Sequence, residues 1–121
     1  MSMTNTYLAA FTGSKTSPRR TQWDALPEPQ RREKEQAGIA AWKAWADKYQ
    51  GAIVYMGGPL GKTKRVAADG TRDTSNDLGA FTVVRADSAE AAARMFENHP
   101  HFAVFPGDAV EVMPVLQIPG G

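Results

Sequence analysis

The chain contains no cysteine, which removes disulfide frameworks, thiol nucleophiles and thiolate metal sites together and fits a reducing compartment such as the cytoplasm. It also lacks charge of one dominant sign. Lys plus Arg number 14 against 13 Asp plus Glu, a formal net charge of +1, so the basic footprint that grips a phosphate backbone is missing and nucleic acid is not an expected partner. No stretch approaches the roughly twenty apolar residues a membrane span requires. Residues 1–6 show no basic segment followed by an apolar run, so neither a membrane partner nor a leader peptide is expected. Only two histidines occur, His99 and His101. Without a third strong ligand, nearby Glu97 and Asp108 do not make a metal site, and no cofactor motif is present.

What is there is the composition of a folded domain. Hydrophobic residues make up 42% and charged residues 22% of 121 positions, enough for one core and one domain spanning residues 1–121. Residues 6–11 are a short apolar run stopped by turn chemistry, a first strand. Residues 12–27 shift to Ser, Thr, Pro, Lys and Arg without periodicity. They read as a long loop whose single large apolar side chain, Trp23, either anchors a lid over a pocket or covers the end of a sheet. Pro27 and Pro29 then open a helix that runs to about Tyr49. Its apolar positions Ile39, Trp42, Ala46 and Tyr49 recur at three- and four-residue spacing, with Trp45 at the edge of that face.

Residues 52–56 form a second strand, ended by Gly57, Gly58 and Pro59. Gly61-Lys62-Thr63 resembles the end of a phosphate-binding loop, but that loop needs a glycine where Met56 stands and a helix after Thr63, and neither is present. The segment with Lys62, Lys64 and Arg65 reads instead as one arm of a solvated hairpin turning at Asp69-Gly70, with φ > 0 available at both central positions. Residues 79–85 are a third strand. Asp87 is the expected cap of a second helix, with Glu90 completing a capping box, and Asn98-His99-Pro100 stops that helix. Residues 109–116 are a last strand, placed at a sheet edge because Pro114 has no N–H to give to a ladder.

The order strand, helix, strand, strand, helix, strand predicts an α+β, ferredoxin-like β-α-β-β-α-β antiparallel sheet with two helices on one face. Both faces of the strands are apolar: Leu8 and Ala10 alternate with Tyr7, Ala9 and Phe11, and Ile53 and Tyr55 with Val54 and Met56. Two helices cover one face only. The other exceeds the few hundred Å² of apolar surface that monomers tolerate, so a homodimer with sheets packed face to face is expected.

Gly57-Gly58-Pro59-Leu60, the run from Leu78 through the Arg85-Ala86-Asp87-Ser88 step into the alanine-rich helix, the His99-Pro100 step and the residues 110–115 together resemble the YCII-related family and its DGPF relatives. The resemblance covers most of the chain outside residues 12–27. It implies a dimeric α+β barrel with a cleft beside the first long helix, where many relatives carry a helix histidine and an aspartate in an Asp-Pro step, the usual proposal for an acid-base pair. In this chain the helix position is Trp42 and the Asp-Pro step is His99-Pro100, so that pair is absent as such.

The residues that could carry chemistry follow from these positions. His99, at the end of a helix where the dipole favours imidazolium, suits either a proton-transfer residue with a pKa lifted toward neutrality or a plain cap on the last carbonyls. His101, two residues on, points the same way along an extended segment and is read as a surface residue near the same ligand. Trp42, Trp45 and Tyr7 are either core or flat walls of an apolar pocket, and Arg85 pairs either a ligand carboxylate or a surface acid such as Asp87 or Glu90. Two functions remain open. One is a cofactor-independent acid-base enzyme acting on a small aromatic or apolar compound, with His99 as the catalytic residue; the other is a non-catalytic dimeric ligand-binding or accessory module.

Overall fold

The computed structural model describes residues 5–120. In chain order the elements are β1 (Thr6–Thr12), α1 (Pro18–Asp24), α2 (Glu28–Lys48), β2 (Ile53–Pro59), β3 (Thr63–Ala67), β4 (Gly70–Thr74), β5 (Leu78–Arg85), α3 (Ala89–Arg94), α4 (Pro100–Ala103) and β6 (Ala109–Pro114). Four strands pair antiparallel in the order β2-β5-β1-β6, which is the ferredoxin-like arrangement, and β3 with β4 forms a separate hairpin inserted in the chain between β2 and β5. Pro114 sits at the end of the edge strand β6, opposite Tyr7, where its missing donor leaves no hole in the sheet. Among the described residues no helix is long and apolar enough to cross a membrane.

The core lies between one face of the sheet and the helices. Tyr7, Ala9, Phe11 and Val84 face Trp45 of α2 and Ala92, Met95 and Phe96 of the α3 region, all buried. Thr82 is buried on the same face, and its hydroxyl donates to the carbonyl of Met56 at 2.9 Å. By alternation Leu8, Ala10, Phe81, Val83 and Met113 occupy the opposite face, joined by Tyr55, which pairs with Val83 and lies 5.7 Å from the Phe81 ring. Tyr55 is 61% exposed and Met113 39%, so this face is apolar and open to solvent in the single chain.

Several local expectations are corrected. Residues 12–27 are not all loop: Ser17 accepts from the Arg20 N–H at 3.1 Å and Pro18 begins α1, the Ser cap and first-turn proline that favour a helix start. The buried stripe of α2 is Gly38, Trp42, Trp45 and Tyr49 rather than one through Ile39, which is 64% exposed. Both stripes have helical spacing, and the choice is made by Gly38. A Cβ there would stand 2.5 Å from two atoms of the Phe105 ring, so only a glycine lets α2 approach that ring. The second strand is bulged twice, between Ile53 and Tyr55 and between Tyr55 and Gly58, which puts Ile53 toward the core and Tyr55 on the open face although they share parity in the sequence. The cap of α3 is Ser88, not Asp87, with its hydroxyl accepting from Ala91 N–H at 3.0 Å. The hairpin turns at Ala68-Asp69, and only Gly70, at φ 122°, has positive φ.

Gly57 carries the second bulge. Its φ is 66°, and a Cβ on it would lie 2.0 Å from the carbonyl oxygen of Phe81. Gly57→Ala is therefore expected to cost about 3 kcal/mol or more in urea denaturation, because backbone would have to move and the left-handed conformation is disfavoured as well. Gly58→Ala, with nothing within 4 Å, should stay within about 1 kcal/mol of the parent by the same assay.

Candidate functional site

Antiparallel pairing brings the end of β1, the start of β5, the end of β2 and the start of β6 to one end of the sheet, with Thr12 opposite both Leu78 and Ala109. The loops that follow or precede those ends, together with α1 and the hairpin, enclose a cleft of about 1220 Å³. One part of its lining is apolar: Trp23 of α1, Ile39 of α2, Leu60, Leu78 and Phe105. Ile39, Leu60 and Leu78 are among the large apolar side chains most exposed to water, and all of them look into this one cleft. The polar part includes Ser14, Lys15, Lys62 and Asn76. Lys64 pairs with Asp73 at 2.5 Å, whereas Lys15, Lys62, Glu35 and Asp77 have no ion-pair partner among the described residues.

Side-chain latches hold α1 over this cleft, since none of its residues is buried. The Trp23 and Phe105 rings are 5.8 Å apart. The Arg19 guanidinium donates to the carbonyl of Phe102 and, at 3.5 Å, to that of Phe105, and Arg31 donates to the carbonyl of Leu26 at 3.3 Å.

His101 is the histidine that reaches the cleft. Its Nε2 lies 2.7 Å from the carbonyl oxygen of Thr12, so Nε2 carries the hydrogen and donates it, leaving Nδ1 as the acceptor of a neutral ring. Among the described residues the only buried side-chain nitrogen or oxygen without a partner is His99 Nε2. His101 Nδ1, which has no hydrogen-bond partner there either, is therefore not fully buried. Burial pushes the His101 pKa below the ordinary histidine value; the Thr12 hydrogen bond and Asp108 act in the opposite direction, and Arg19 adds to the lowering. The ring is neutral at pH 7 and able to accept a proton.

His99 is placed elsewhere. It is 1% exposed and stands at the start of α4, not at the end of α3, because Asn98 at φ 57° has already turned the chain. Its Nδ1 accepts from the His101 backbone N–H at 3.0 Å, so the cap it provides is to the following turn. Its ring packs edge-on to Trp42 at 4.5 Å and near Trp45 at 4.8 Å. Desolvation by burial, and next the charge of His101, lower its pKa to about 4, the reverse of the rise expected from a helix C-terminus.

The remaining sequence candidates do not converge on the cleft. Trp45 and Tyr7 are core residues; the Trp45 indole donates to the carbonyl of Met95 at 2.6 Å. Trp42 stacks on Phe11 at 5.2 Å, half-buried against the same cluster. Arg85 is exposed and pairs in register with Thr6, at the end of the sheet away from the cleft. It forms no ion pair with Asp87 or Glu90 among the described residues. The cleft residues missed by sequence reasoning, such as Ser14, Leu60, Asn76 and Phe105, lie in turn-rich segments. Glycine, serine and proline marked those segments as loops, but nothing local showed that they meet.

Neutral burial of His99 has a thermodynamic consequence. Between about pH 4 and the ordinary value of 6.5 the folded chain binds fewer protons than the unfolded chain, so stability falls as pH is lowered through that window. The full loss is roughly 3 kcal/mol. Urea midpoints measured from pH 7 to pH 4 should drop accordingly, and His99→Asn, which keeps a capping acceptor but cannot titrate, should flatten most of that slope.

No family model matches the chain, and no curated protein matches it in sequence. Among solved structures it is similar to the 5-chloro-2-hydroxyhydroquinone dehydrochlorinase of Burkholderia phenoliruptrix AC1100, solved in complex with 2,5-dihydroxybenzoquinone. The TM-score is 0.50 and the identity 18%, over 89% of this chain and 90% of that one. The likeness is one of fold: an α+β architecture with an antiparallel sheet, shared with an enzyme that processes a small molecule.

Proposed function

We propose that the protein is a YCII-like homodimer whose cleft takes a small hydroxylated aromatic molecule, with His101 as the proton-transfer residue. The observation that carries this reading is the neutral His101 imidazole at the wall of a cleft with one apolar and one polar side, with Nε2 committed to Thr12 and Nδ1 unpartnered among the described residues. Trp23, Phe105 and Ile39 offer flat and aliphatic surface to an aromatic body. An acidic hydroxyl of the ligand would give its proton to Nδ1: the ligand O–H bond breaks, the Nδ1–H bond forms, and an imidazolium faces the new oxyanion. Lys15 and Lys62 line the same cleft and supply positive charge to offset that oxyanion. His99 is set aside for this role because it is sealed in the core. The ligand of the solved dehydrochlorinase, a dihydroxylated quinone, is not itself aromatic but has the flat six-membered ring and acidic hydroxyls that this lining suits.

A second reading, a dimeric binding module without turnover, is favoured by one observation: the two positions that resemble the family's acid-base pair, Trp42 and His99, are both packed in the aromatic core. Titration with 2,5-dihydroxybenzoquinone and with hydroquinone, followed by amide NMR, tests both. Shifts are expected at residues 13–15, 60–64, 73–79 and 105–107, and Phe105→Ala should weaken binding about tenfold, or 1.4 kcal/mol. Binding that survives His101→Ala while any turnover of the ligand is lost supports the enzyme. Binding with no turnover in the parent chain supports the module, and shifts outside the cleft, or none, defeat both.

The dimer rests on the open apolar face around Tyr55, Phe81, Val83 and Met113. Light scattering at micromolar concentration should give twice the 13.1 kDa chain mass, and Tyr55→Asp, which places a charge on that face, should give the single-chain mass. A parent chain that scatters as a monomer removes the dimer from the reading.

A further inference from the structure

His101 does not hold its orientation alone. The segment after α4 returns to it through Gly107, whose N–H donates to the His101 carbonyl at 2.9 Å. Gly107 is buried, and a Cβ built on it would stand 2.3 Å from His101 Nε2, 2.4 Å from Cε1 and 2.5 Å from the His101 carbonyl oxygen. Two of those atoms belong to the ring edge that faces Thr12. The third is backbone, which cannot step aside by a rotamer change. The φ of Gly107 lies outside the left-handed region, so what the position requires is the absence of a side chain and not a special backbone conformation.

Aromatic side chains stand against another side of the ring. Phe11 meets it edge to face at 5.2 Å, and Trp42 is 6.3 Å away. With aromatic rings on one side and a glycine Cα on another, the imidazole has one slot, and in that slot Nε2 meets the Thr12 carbonyl. A carbonyl only accepts, so the slot selects the tautomer with hydrogen on Nε2 and leaves the Nδ1 lone pair unpartnered.

We propose that Gly107 is a positioning residue for His101: by carrying no Cβ it lets the ring seat on the Thr12 carbonyl, and that seat holds the imidazole as a single tautomer with Nδ1 as the acceptor. This rests on the reading of His101 as the proton-transfer residue, but the orientation it describes exists with no ligand bound. Asp108, whose carboxylate accepts from the Ser14 N–H at 2.8 Å, and the Arg19 guanidinium are the charged groups that act on the ring, together with His99, whose Nδ1 accepts from the His101 N–H.

The test is ¹⁵N NMR of the histidine side chains in the intact chain, assigned with His101→Gln. In the parent chain at neutral pH His101 is expected to show one neutral tautomer, with hydrogen on Nε2. In Gly107→Ala the same ring should show a mixture of tautomers, and its titration midpoint should move up toward the ordinary histidine value as it leaves its buried seat. Gly51→Ala, where nothing lies within 4 Å of the added Cβ, should leave the His101 spectrum unchanged. A parent His101 with hydrogen on Nδ1, or with both tautomers, overturns the proposal without any variant having to fold. So does a folded Gly107→Ala chain with an unchanged His101 spectrum. Failure of the hydroxylated-aromatic reading would appear separately, as absent ligand shifts on a ring that still shows the single tautomer.

Discussion

Packing around Phe11 is the constraint on which the rest of the structure depends. This ring, fully buried near the end of the central strand β1, stacks on Trp42 of α2 and meets Phe96, His99 and His101 edge to face. One side chain thus ties the sheet to the long helix and to the two segments that follow α3. Aromatic pairs of this kind contribute on the order of 0.5–1.5 kcal/mol each beyond the area they bury, but their larger effect here is geometric. They set the depth at which α2 and α4 sit on the sheet, and with it the position of both histidines.

The two histidines, one residue apart around His99-Pro100-His101, are separated by that cluster into different environments. His99 turns inward, accepts the His101 N–H on its Nδ1 and is held neutral by desolvation. His101 turns toward the end of the sheet, where Thr12, Gly107 and the cleft receive it. The inner ring thereby braces the backbone of the outer one, and the pair works as a buried support with an exposed tip. An alternating extended segment would have put both rings on the same side. The left-handed turn at Asn98 and the short α4 prevent this, because helical backbone at Pro100 and His101 rotates successive side chains by about 100° instead of 180°.

Much of the architecture could be read along the chain because it rests on local periodicity. Alternation in residues 6–11 and 79–85, the proline-opened helix at Glu28, the stop at Asn98 and the edge position implied by Pro114 each depend on a few neighbouring residues, and each reappears in the sheet order β2-β5-β1-β6. Two of the readings that differ share one cause, which is that two local patterns had the same spacing and a distant contact chose between them, whereas α1 and the Ser88 cap differ for local reasons of helix capping. Ile39 and Gly38 lie on stripes of equal spacing, and the Phe105 ring selects the one with glycine. Ile53 and Tyr55 share parity until the bulges re-aim them.

The sequence by itself determined the four strands of the sheet, the hairpin, the long helix and the alanine-rich helix in their order, though not the short α1 and α4, together with the apolar character of both sheet faces and the confinement of imidazole chemistry to residues 99–101, since these follow from composition and from periods of 2 and 3.6 residues. Only the tertiary structure decided that Trp42, Trp45, Tyr7 and His99 fill a core, that Arg85 lies at the end of the sheet away from the cleft, and that His101 shares that cleft with Trp23, Leu60 and Phe105. Loops carry no periodicity that says which other loops they meet. Antiparallel pairing gathers them at one end of the sheet, and the close approach of Gly38 and Gly107 to Phe105 and His101 sets what that end can hold.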